Sequence, residues 1–225
     1  MDQPRITVTE HYDGDPGDRE VQLLRLGGIA VYKTAVGPMS NNCYLLAAGG
    51  EGLLIDAAVE PGHLLALAEA AGAPIRTVLT THSHADHVGA LAEVLAATGA
   101  RHVASTLDAP DLPAPVDELL DQGDALEFGG VDPVVFILRG HTRGGACLAL
   151  EVPDAPPHLF VGDSLFPGGV GKTESQDAFA QLIDDVAERV FEVYPDTAVV
   201  HPGHGADTTV GAERPRLPEW RRRGW

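Results

Sequence analysis

The sequence predicts an α/β protein in which helices cover layers of β-sheet, and three observations support this prediction. Strand-like apolar runs alternate with helix-like segments, and neither a linker nor an internal repeat interrupts them. Hydrophobic residues make up 44% and charged residues 21% of the chain, as in ordinary globular proteins. A length of 225 residues is enough to bury a substantial core. We therefore expect one domain that spans residues 1–225.

The first half of the chain begins with a turn-rich segment and continues with strands and helices. Residues 10–20 combine acidic residues with glycine and proline, which predicts an exposed turn or a mobile N-terminal arm over residues 1–20. Residues 63–71 are predicted to form a helix that ends at a glycine. A second helix is expected from Asp86 to Thr98, because apolar residues recur on one face and Gly99 follows. Strands are predicted at 29–34, 42–47, 52–55 and 75–80.

The second half is richer in strands and contains one long helix. A run from about Gln176 to Val193 places its apolar residues on one helical face, so it is predicted to be an amphipathic helix that packs on a sheet. Apolar runs predict further strands at 101–105, 125–128, 131–138, 146–151, 158–162 and 197–200.

The charge of the chain excludes one class of partner. The chain has 15 Lys and Arg residues against 33 Asp and Glu residues, which gives a net charge of −18. Such a surface repels phosphate backbones, so we expect no nucleic-acid partner. We also expect no signal peptide, no membrane partner and no disulfide, and therefore a cytoplasmic protein. The oligomeric state stays open.

The most informative segment is His82-Ser83-His84-Ala85-Asp86-His87, between a predicted buried strand and a predicted helix. Residues two apart in an extended segment face the same side, so His82 and His84 can bind one ion. Asp86 and His87 diverge from this pair at the helix start, where Asp86 also suits the N-cap position. Two neighbouring ions fit this pattern better than one. Imidazole and carboxylate ligands favour zinc, iron or manganese.

Three further candidate ligands follow predicted strands. His141 lies in Arg139-Gly140-His141-Thr142, and Asp163 lies in Gly162-Asp163-Ser164. The glycines beside His204, in Pro202-Gly203-His204-Gly205, allow the backbone to place an imidazole in a crowded site. Each residue alone would more often be an ordinary loop residue, but together with the first segment they predict a metal site. His11, His63, His102, His158 and His201 belong to no motif, and we expect them to be ordinary surface or packed residues.

The segments HSHADH, GHT, GDS and PGHG resemble the metallo-β-lactamase fold over about Asn42 to Arg214. The resemblance implies a four-layer αβ/βα sandwich with its site at strand ends between two sheets. It implies that Asp163 bridges two divalent ions, for which zinc is expected and iron and manganese are the alternatives. The implied ligands are His82, His84 and His141 for one ion, and Asp86, His87 and His204 for the other.

The implied chemistry is hydrolysis of a small-molecule ester or thioester. Two divalent ions lower the pKa of a bound water from 15.7 toward about 7, and the resulting hydroxide attacks a carbonyl carbon. Asp86 is the predicted catalytic residue that orients this hydroxide. The segment from Gly162 to Thr173 resembles glyoxalase II and its short relatives, which implies that Lys172 contacts the thiol part of the substrate. Arg143 is a second candidate substrate cation.

The sequence also departs from glyoxalase II. Arg143 and two glycines follow the GHT motif in place of the usual Pro-Gly-Ser, and Thr173 stands where an aromatic residue is common. Only residues 205–225 follow His204, so we expect no C-terminal helical domain of the kind that helps glyoxalase II to bind glutathione. The thiol carrier is therefore open.

Three alternatives remain. A persulfide dioxygenase with one iron would use the positions of His82, His141 and Asp163, all of which are present. A lactonase or another ester hydrolase of the same fold is the second alternative, although Phe166 stands where lactonase relatives often have tyrosine. A metal-binding protein without activity is the third, but it would be expected to have lost some ligands.

Overall fold

The computed structural model describes residues 6–224, and its larger sheet has eight strands that follow one another in chain order. The strands β2 to β5 form an antiparallel meander, and β5 to β8 run parallel. The short first strand pairs in parallel with β2. The strands are β1 (Val8–Thr9), β2 (Val21–Leu26), β3 (Ile29–Val36), β4 (Asn41–Ala48), β5 (Glu51–Ile55), β6 (Ile75–Thr80), β7 (Arg101–Ser105) and β8 (Glu118–Leu120).

In the described part of the chain the smaller sheet has five strands, in the order β15-β14-β11-β10-β9. Strands β9, β11 and β14 run in the same direction, because β10 is antiparallel to both β9 and β11 while β14 is parallel to β11. A separate two-stranded hairpin follows β11. The strands are β9 (Val134–Leu138), β10 (Gly145–Leu150), β11 (His158–Gly162), β12 (Leu165–Phe166), β13 (Gly169–Val170), β14 (Val199–Pro202) and β15 (Thr208–Thr209).

Five α-helices complete the fold of residues 6–224. The long predicted helix begins at Ser175, whose hydroxyl accepts a hydrogen bond from the Ala178 amide at 3.1 Å. It continues past Val186 as a π-helical turn over Ala187–Phe191. The helices are α1 (Pro61–Ala71), α2 (Leu91–Thr98), α3 (Gln176–Val186), α4 (Val210–Glu213) and α5 (Leu217–Arg223).

Three apolar clusters show that the fold has four layers. The first cluster joins α1 and α2 to one face of the larger sheet. The second fills the space between the two sheets, where residues such as Leu46 and Leu148 meet. The third joins α3 and α5 to the outer face of the smaller sheet, where Trp220 is fully buried. These layers confirm the predicted αβ/βα sandwich, and burial of apolar area on this scale is the main force that stabilises it.

The structure corrects two of the predicted elements. Residues 125–128 do not form a strand, because Ala125 and Phe128 each make only an isolated bridge. The helix expected from Asp86 to Thr98 is broken, since a 3-10 turn at Ala85–His87 ends before α2 begins at Leu91. The backbone is diverted there because the Ala90 amide donates to carbonyl groups in the loop after β5. Asp86 is therefore not a helix N-cap.

The segment expected to be an exposed turn or an N-terminal arm is mostly exposed over residues 10–20, but two of its residues contact other parts of the fold. The hydroxyl of Tyr12 donates to Asp207 at 2.6 Å, and the carbonyl of Gly14 accepts from Lys33 at 2.6 Å. These residues therefore pack against the sheets. Residues 1–5 lie outside the described part of the chain. Within residues 6–224, none of the helices combines the length and apolar character needed to cross a bilayer.

Replacing Leu182 by alanine tests the outer core. Leu182 is fully buried between α3 and the smaller sheet. We expect Leu182→Ala to lower the free energy of unfolding by about 2–5 kcal/mol, because it removes buried methyl groups and leaves a cavity. Denaturant unfolding measures this change. Leu119→Ala is the control, since Leu119 is 53% exposed and its loss is expected to change stability by less than about 0.5 kcal/mol. Equal effects of the two substitutions would contradict the described packing.

Candidate metal centre

The candidate ligands converge because five strands end at one edge of the sandwich. In the larger sheet, β5 leads into Asp56 and β6 leads into the segment that begins at His82. In the smaller sheet, β9, β11 and β14 lead into the loops that hold His141, Asp163 and His204. Side chains from both sheets therefore meet at the carboxyl ends of their strands.

Among residues 6–224, three groups of side chains stand close enough to bind one ion each. One of them, Asp56 with His82 and His87, is fully buried and shares its histidines with the two groups that the sequence predicts. The first ligand group contains His82, His84 and His141, and the second contains Asp86, His87 and His204. Within each group, one ligand atom from each residue lies within 4.8 Å of the others. The sequence predicts these same two groups, so the structure brings together the residues that were expected to share an ion.

Asp163 stands between the two groups and contacts both. One carboxylate oxygen, Oδ2, lies 4.0 Å from Nε2 of His82 and 3.7 Å from Nε2 of His141. The same oxygen lies 3.5 Å from Nε2 of His204, and Oδ1 lies 3.5 Å from Nε2 of His87. Burial raises the pKa of Asp163, but the surrounding imidazoles outweigh burial, so the pKa is lowered. Its position is the one that a bridging carboxylate requires.

Hydrogen bonds at Nδ1 direct three of the rings into the centre. Nδ1 of His141 donates to the Lys172 carbonyl at 2.7 Å, and Nδ1 of His204 donates to the Met39 carbonyl at 2.9 Å. Nδ1 of His87 lies 2.8 Å from a carboxylate oxygen of Asp56. A neutral ring that donates from Nδ1 presents an unprotonated Nε2, which is the form that binds a metal ion.

The sequence offers no motif for Asp56, which the structure nevertheless places beside the ligands. Its carboxylate is buried and accepts from the amide and hydroxyl of Thr81, both at 2.7 Å, in addition to His87. Asp56 has a φ of 59°, an uncommon value for a residue with a side chain. Burial opposes the charged ring of His87, but Asp56 and Asp163 outweigh it and raise the pKa of His87 to about 10. An ion that binds His87 must therefore displace a proton.

A partly buried ion pair positions the loop that holds His141. The amide and Nε of Arg139 donate to one oxygen of Asp185 at 2.9 and 2.8 Å, and Nη2 donates to the other at 2.7 Å. Gly140 follows with a φ of 129°, and a β-carbon there would lie 2.3 Å from the Ala178 carbonyl oxygen. The loop therefore packs tightly against α3, which fixes the approach of His141.

Glycines leave the space that the ligands occupy. A β-carbon on Gly203 would lie 2.0 Å from Oδ1 of Asp163 and 2.8 Å from Cε1 of His87. One on Gly171 would lie 1.9 Å from the Asp163 carbonyl oxygen and 2.9 Å from Nδ1 of His141. Real β-carbons do not approach other atoms so closely, so these positions require glycine.

The residues present fit a pair of cations. Among the residues described, Nε2 of His82, Nε2 of His141 and Oδ1 of Asp163 are buried without a hydrogen-bond partner. Nε2 of His87 lies 3.2 Å from Nε2 of His204, so both nitrogens can bind one cation once the His87 proton has left. Burial and the neighbouring imidazoles lower the pKa of His82, so protonation does not satisfy that ring. Cations bound by these atoms would supply the missing contacts and replace the proton of His87.

An open cavity of about 720 Å³ lies beside the first ligand group. Its lining includes His84, His141 and Arg143, and Nε of Arg143 lies 3.6 Å from a carboxylate oxygen of Asp111. The Lys172 side chain is exposed and lies outside this lining. Lys172 is instead connected to the centre through its backbone carbonyl, which orients His141. The structure thus places Arg143, but not the Lys172 side chain, on the cavity wall.

This arrangement of ligands agrees with a family-level match. The sequence profile described as the Metallo-beta-lactamase superfamily matches residues 36–204, which include all seven candidate ligands. The chain belongs to the metallo-beta-lactamase superfamily. This assignment confirms the resemblance that the four motifs indicate.

Individual proteins are also similar to the chain. The hydroxyacylglutathione hydrolase of Fuscovulum blasticum is 41% identical over 134 residues, which cover 59% of this chain and 51% of that protein. That of Polaromonas sp. is 37% identical over 164 residues, covering 72% and 60% of the two chains. Among solved structures, the protein in the crystal structure of TTHA1623 in a di-iron-bound form has 32% sequence identity to this chain. The two structures superpose with a TM-score of 0.67 over 81% of this chain and 96% of that chain. The chain thus spans about half to three fifths of these two curated relatives.

Replacing Gly203 by alanine tests whether the ligands need the space that this glycine leaves. We expect Gly203→Ala to fold but to lose bound metal, because the added β-carbon would displace Asp163 and His87. Elemental analysis of purified protein measures metal per chain. Gly62→Ala is the control, since no atom lies within 4 Å of the added carbon. Metal content equal to that of the control would contradict this geometry.

Replacing Asp56 by asparagine tests the support of His87. We expect Asp56→Asn to weaken metal binding by about 10–100-fold, because the buried carboxylate that orients the ring loses its charge. Competition with a chelator of known affinity measures the change, and circular dichroism checks that the variant folds. An unchanged affinity in a folded variant would show that Asp56 serves stability alone.

Proposed function

We propose that the protein is a metal-dependent hydrolase of a small thioester, similar in its reaction to the hydroxyacylglutathione hydrolases. The observation that carries this proposal is the position of Asp163 between two complete ligand groups. The similarity of the chain to two hydroxyacylglutathione hydrolases supports a thioester as the class of substrate. We further propose zinc as the ion and a cytoplasmic location. A net charge of −18 opposes a nucleic-acid partner.

The residues that would hold the ions are His82, His84 and His141 for one, Asp86, His87 and His204 for the other, and Asp163 for both. When bound, a pair of divalent ions supplies Lewis acidity and activates water for attack on a carbonyl carbon. In thioester hydrolysis the water oxygen adds to the carbonyl carbon, the carbon–sulfur bond then breaks, and a proton from the water ends on the departing sulfur, which leaves a carboxylic acid and a free thiol. The chain's own residues must orient water, receive the proton and bind the thiol carrier.

Asp86 is the proposed catalytic residue. Its carboxylate accepts a hydrogen bond from the Asn41 side chain at 2.7 Å, which fixes its orientation. Burial raises its pKa, but this hydrogen bond and the adjacent imidazoles outweigh burial and lower the pKa, so the group is ionised at neutral pH. Asp86 is partly exposed, so the carboxylate can also receive a proton from water at the centre.

The cavity beside His84 and His141 is the proposed site for the thiol carrier. Arg143 lines it, and a carboxylate of the substrate would replace the exposed pairing of Arg143 with Asp111. The Lys172 side chain remains a second proposed substrate contact on the basis of the motif.

A specific observation favours one second candidate, a persulfide dioxygenase with a single iron. The residues that would hold this iron are His82, His141 and Asp163, and each has a buried polar atom without a partner among the described residues. The complete second ligand group favours the hydrolase, since one ion would leave the facing nitrogens of His87 and His204 unbridged.

Thioester hydrolysis tests the proposal directly. We expect zinc-loaded protein to release free thiol from a hydroxyacyl thioester of glutathione, and His84→Ala to slow this by about 100-fold or more, because ion charge stabilises the transition state by several kcal/mol. His11→Ala is the control, since the His11 side chain is 80% exposed and pairs with Asp13, which is not a candidate ligand. Thiol release is followed in absorbance.

Elemental analysis of protein purified without added metal separates the two candidates. Close to two ions per chain supports the hydrolase. One iron per chain, with oxygen uptake on a persulfide and no thioester cleavage, would replace it with the dioxygenase.

A further inference from the structure

A buried lysine stands outside the metal centre and binds three oxygen atoms. Lys33, on β3, is fully buried. Its Nζ donates to the carbonyl of Gly14 at 2.6 Å, to the carbonyl of Gly205 at 2.8 Å and to Oδ1 of Asp207 at 2.8 Å. An ammonium group has three N–H donors, so each has an acceptor. The lysine thus joins the N-terminal segment, β3 and the loop after β14.

One of these acceptors belongs to the residue next to a metal ligand. Gly205 follows His204, and its carbonyl also accepts from the side-chain amide of Asn42 at 2.9 Å. The side chains of Asn42 and Tyr44 donate to the Pro202 carbonyl at 2.9 and 2.7 Å. The backbone on both sides of His204 is therefore held by side chains of β3 and β4.

The N-terminal segment covers this contact. Tyr12 donates to Asp207 at 2.6 Å, and the Asp207 amide donates to the Gly14 carbonyl at 3.0 Å. Gly14 is buried with a φ of 77°, and a β-carbon there would lie 2.6 Å from Oδ2 of Asp207. Residues 12–14, Lys33 and Asp207 are hereafter called the N-terminal clamp.

Lys33 and Asp207 carry opposite charges that balance each other inside the clamp. Burial opposes ionisation of Asp207, yet His201 and Lys33 outweigh it and lower its pKa to about 2. Burial lowers the pKa of Lys33, and Asp207 opposes this effect. His201 lies 2.9 Å from Asp207 and 2.8 Å from His158. A buried ion pair contributes little net stability compared with an apolar pair, so it is better explained by the position it imposes.

We propose that the N-terminal clamp positions His204 and thereby sets the affinity of the second ligand group for its ion. Lys33 and Asp207 are positioning residues, since neither reaches the ligands. The clamp acts on Gly205 and His204, whereas the first ligand group lies on other loops. Loosening the clamp therefore lowers the affinity of the second ligand group for its ion and leaves the affinity of the first group unchanged. This inference rests on the proposed function only in requiring that the chain binds two ions.

The experiment measures zinc bound per chain at buffered free zinc concentrations for the full chain and its variants. Gly14→Ala inserts a β-carbon between the segment and Asp207, and Lys33→Met removes the three donated bonds. We expect each to raise the free zinc needed for the second ion by about 10-fold or more, in the range found for other residues that support ligands. The affinity for the first ion is expected to stay within about two-fold of that of the unsubstituted chain. Unfolding of the whole chain would instead abolish binding of both ions.

A matched control separates steric contact from backbone strain. Gly50→Ala places alanine at a φ of 81°, close to that of Gly14, with no atom within 4 Å of the added carbon. It is expected to bind both ions as the unsubstituted chain does. Tyr12→Phe removes only one hydroxyl group, so we expect it to fold and to lower the affinity for the second ion. This variant tests the inference even where Lys33→Met does not fold.

The outcomes distinguish the clamp from the proposed function. Gly14→Ala and Tyr12→Phe with an unchanged second-ion affinity, in a chain that binds two ions, would overturn the clamp alone. Equal weakening of both ions would also overturn it, because the effect would then be general. An unsubstituted chain that binds no ion would overturn the proposed function, and one that binds a single ion would overturn both the clamp and the two-ion hydrolase.

Discussion

The structure depends on one electrostatic arrangement, in which the buried carboxylate of Asp163 is surrounded by imidazoles from two sheets. Four of its neighbours approach within 4.0 Å, and they come from three separate segments of the chain. A carboxylate that is 8% exposed is costly to bury without positive charge nearby. The layered fold brings the surrounding imidazoles to Asp163, because β6, β9, β11 and β14 all end at the same edge of the sandwich. The metal centre is thus a consequence of how the two sheets are stacked.

Three of the ligands are each held from outside by a different part of the fold. Asp56 supports His87 from the end of β5, the Lys172 carbonyl supports His141, and Lys33 supports the backbone beside His204. These supports use backbone carbonyls and buried charges whose positions the core fixes. Because each of these supports is one hydrogen bond away from a ligand or its backbone, a change in the packing of the sheets alters the geometry of the site. The stability of the sandwich and the geometry of the site are therefore connected.

Much of this could be predicted from sequence, and the reasons for the rest are physical. The segment from His82 to His87 is recognisable because its ligands are close in sequence, and the long helix because apolar residues recur at its period. Asp56 could not be predicted, since it meets His87 only through the pairing of β5 with β6. Lys33 resembles an ordinary polar residue of a strand. The break before α2 depends on carbonyl groups of a distant loop, and residues 125–128 have strand composition but pair only through isolated bridges.

The hydrogen bonds at Nδ1 have a consequence for how the centre responds to its ions. Three imidazoles are already locked in place by Asp56, Lys172 and Met39, so ion uptake needs to order few side chains. Preorganisation of this kind reduces the entropic cost of association. The same rigidity limits relaxation around an ion of the wrong radius. A site fixed in this way is expected to discriminate among cations by size and preferred coordination more than a flexible loop site does.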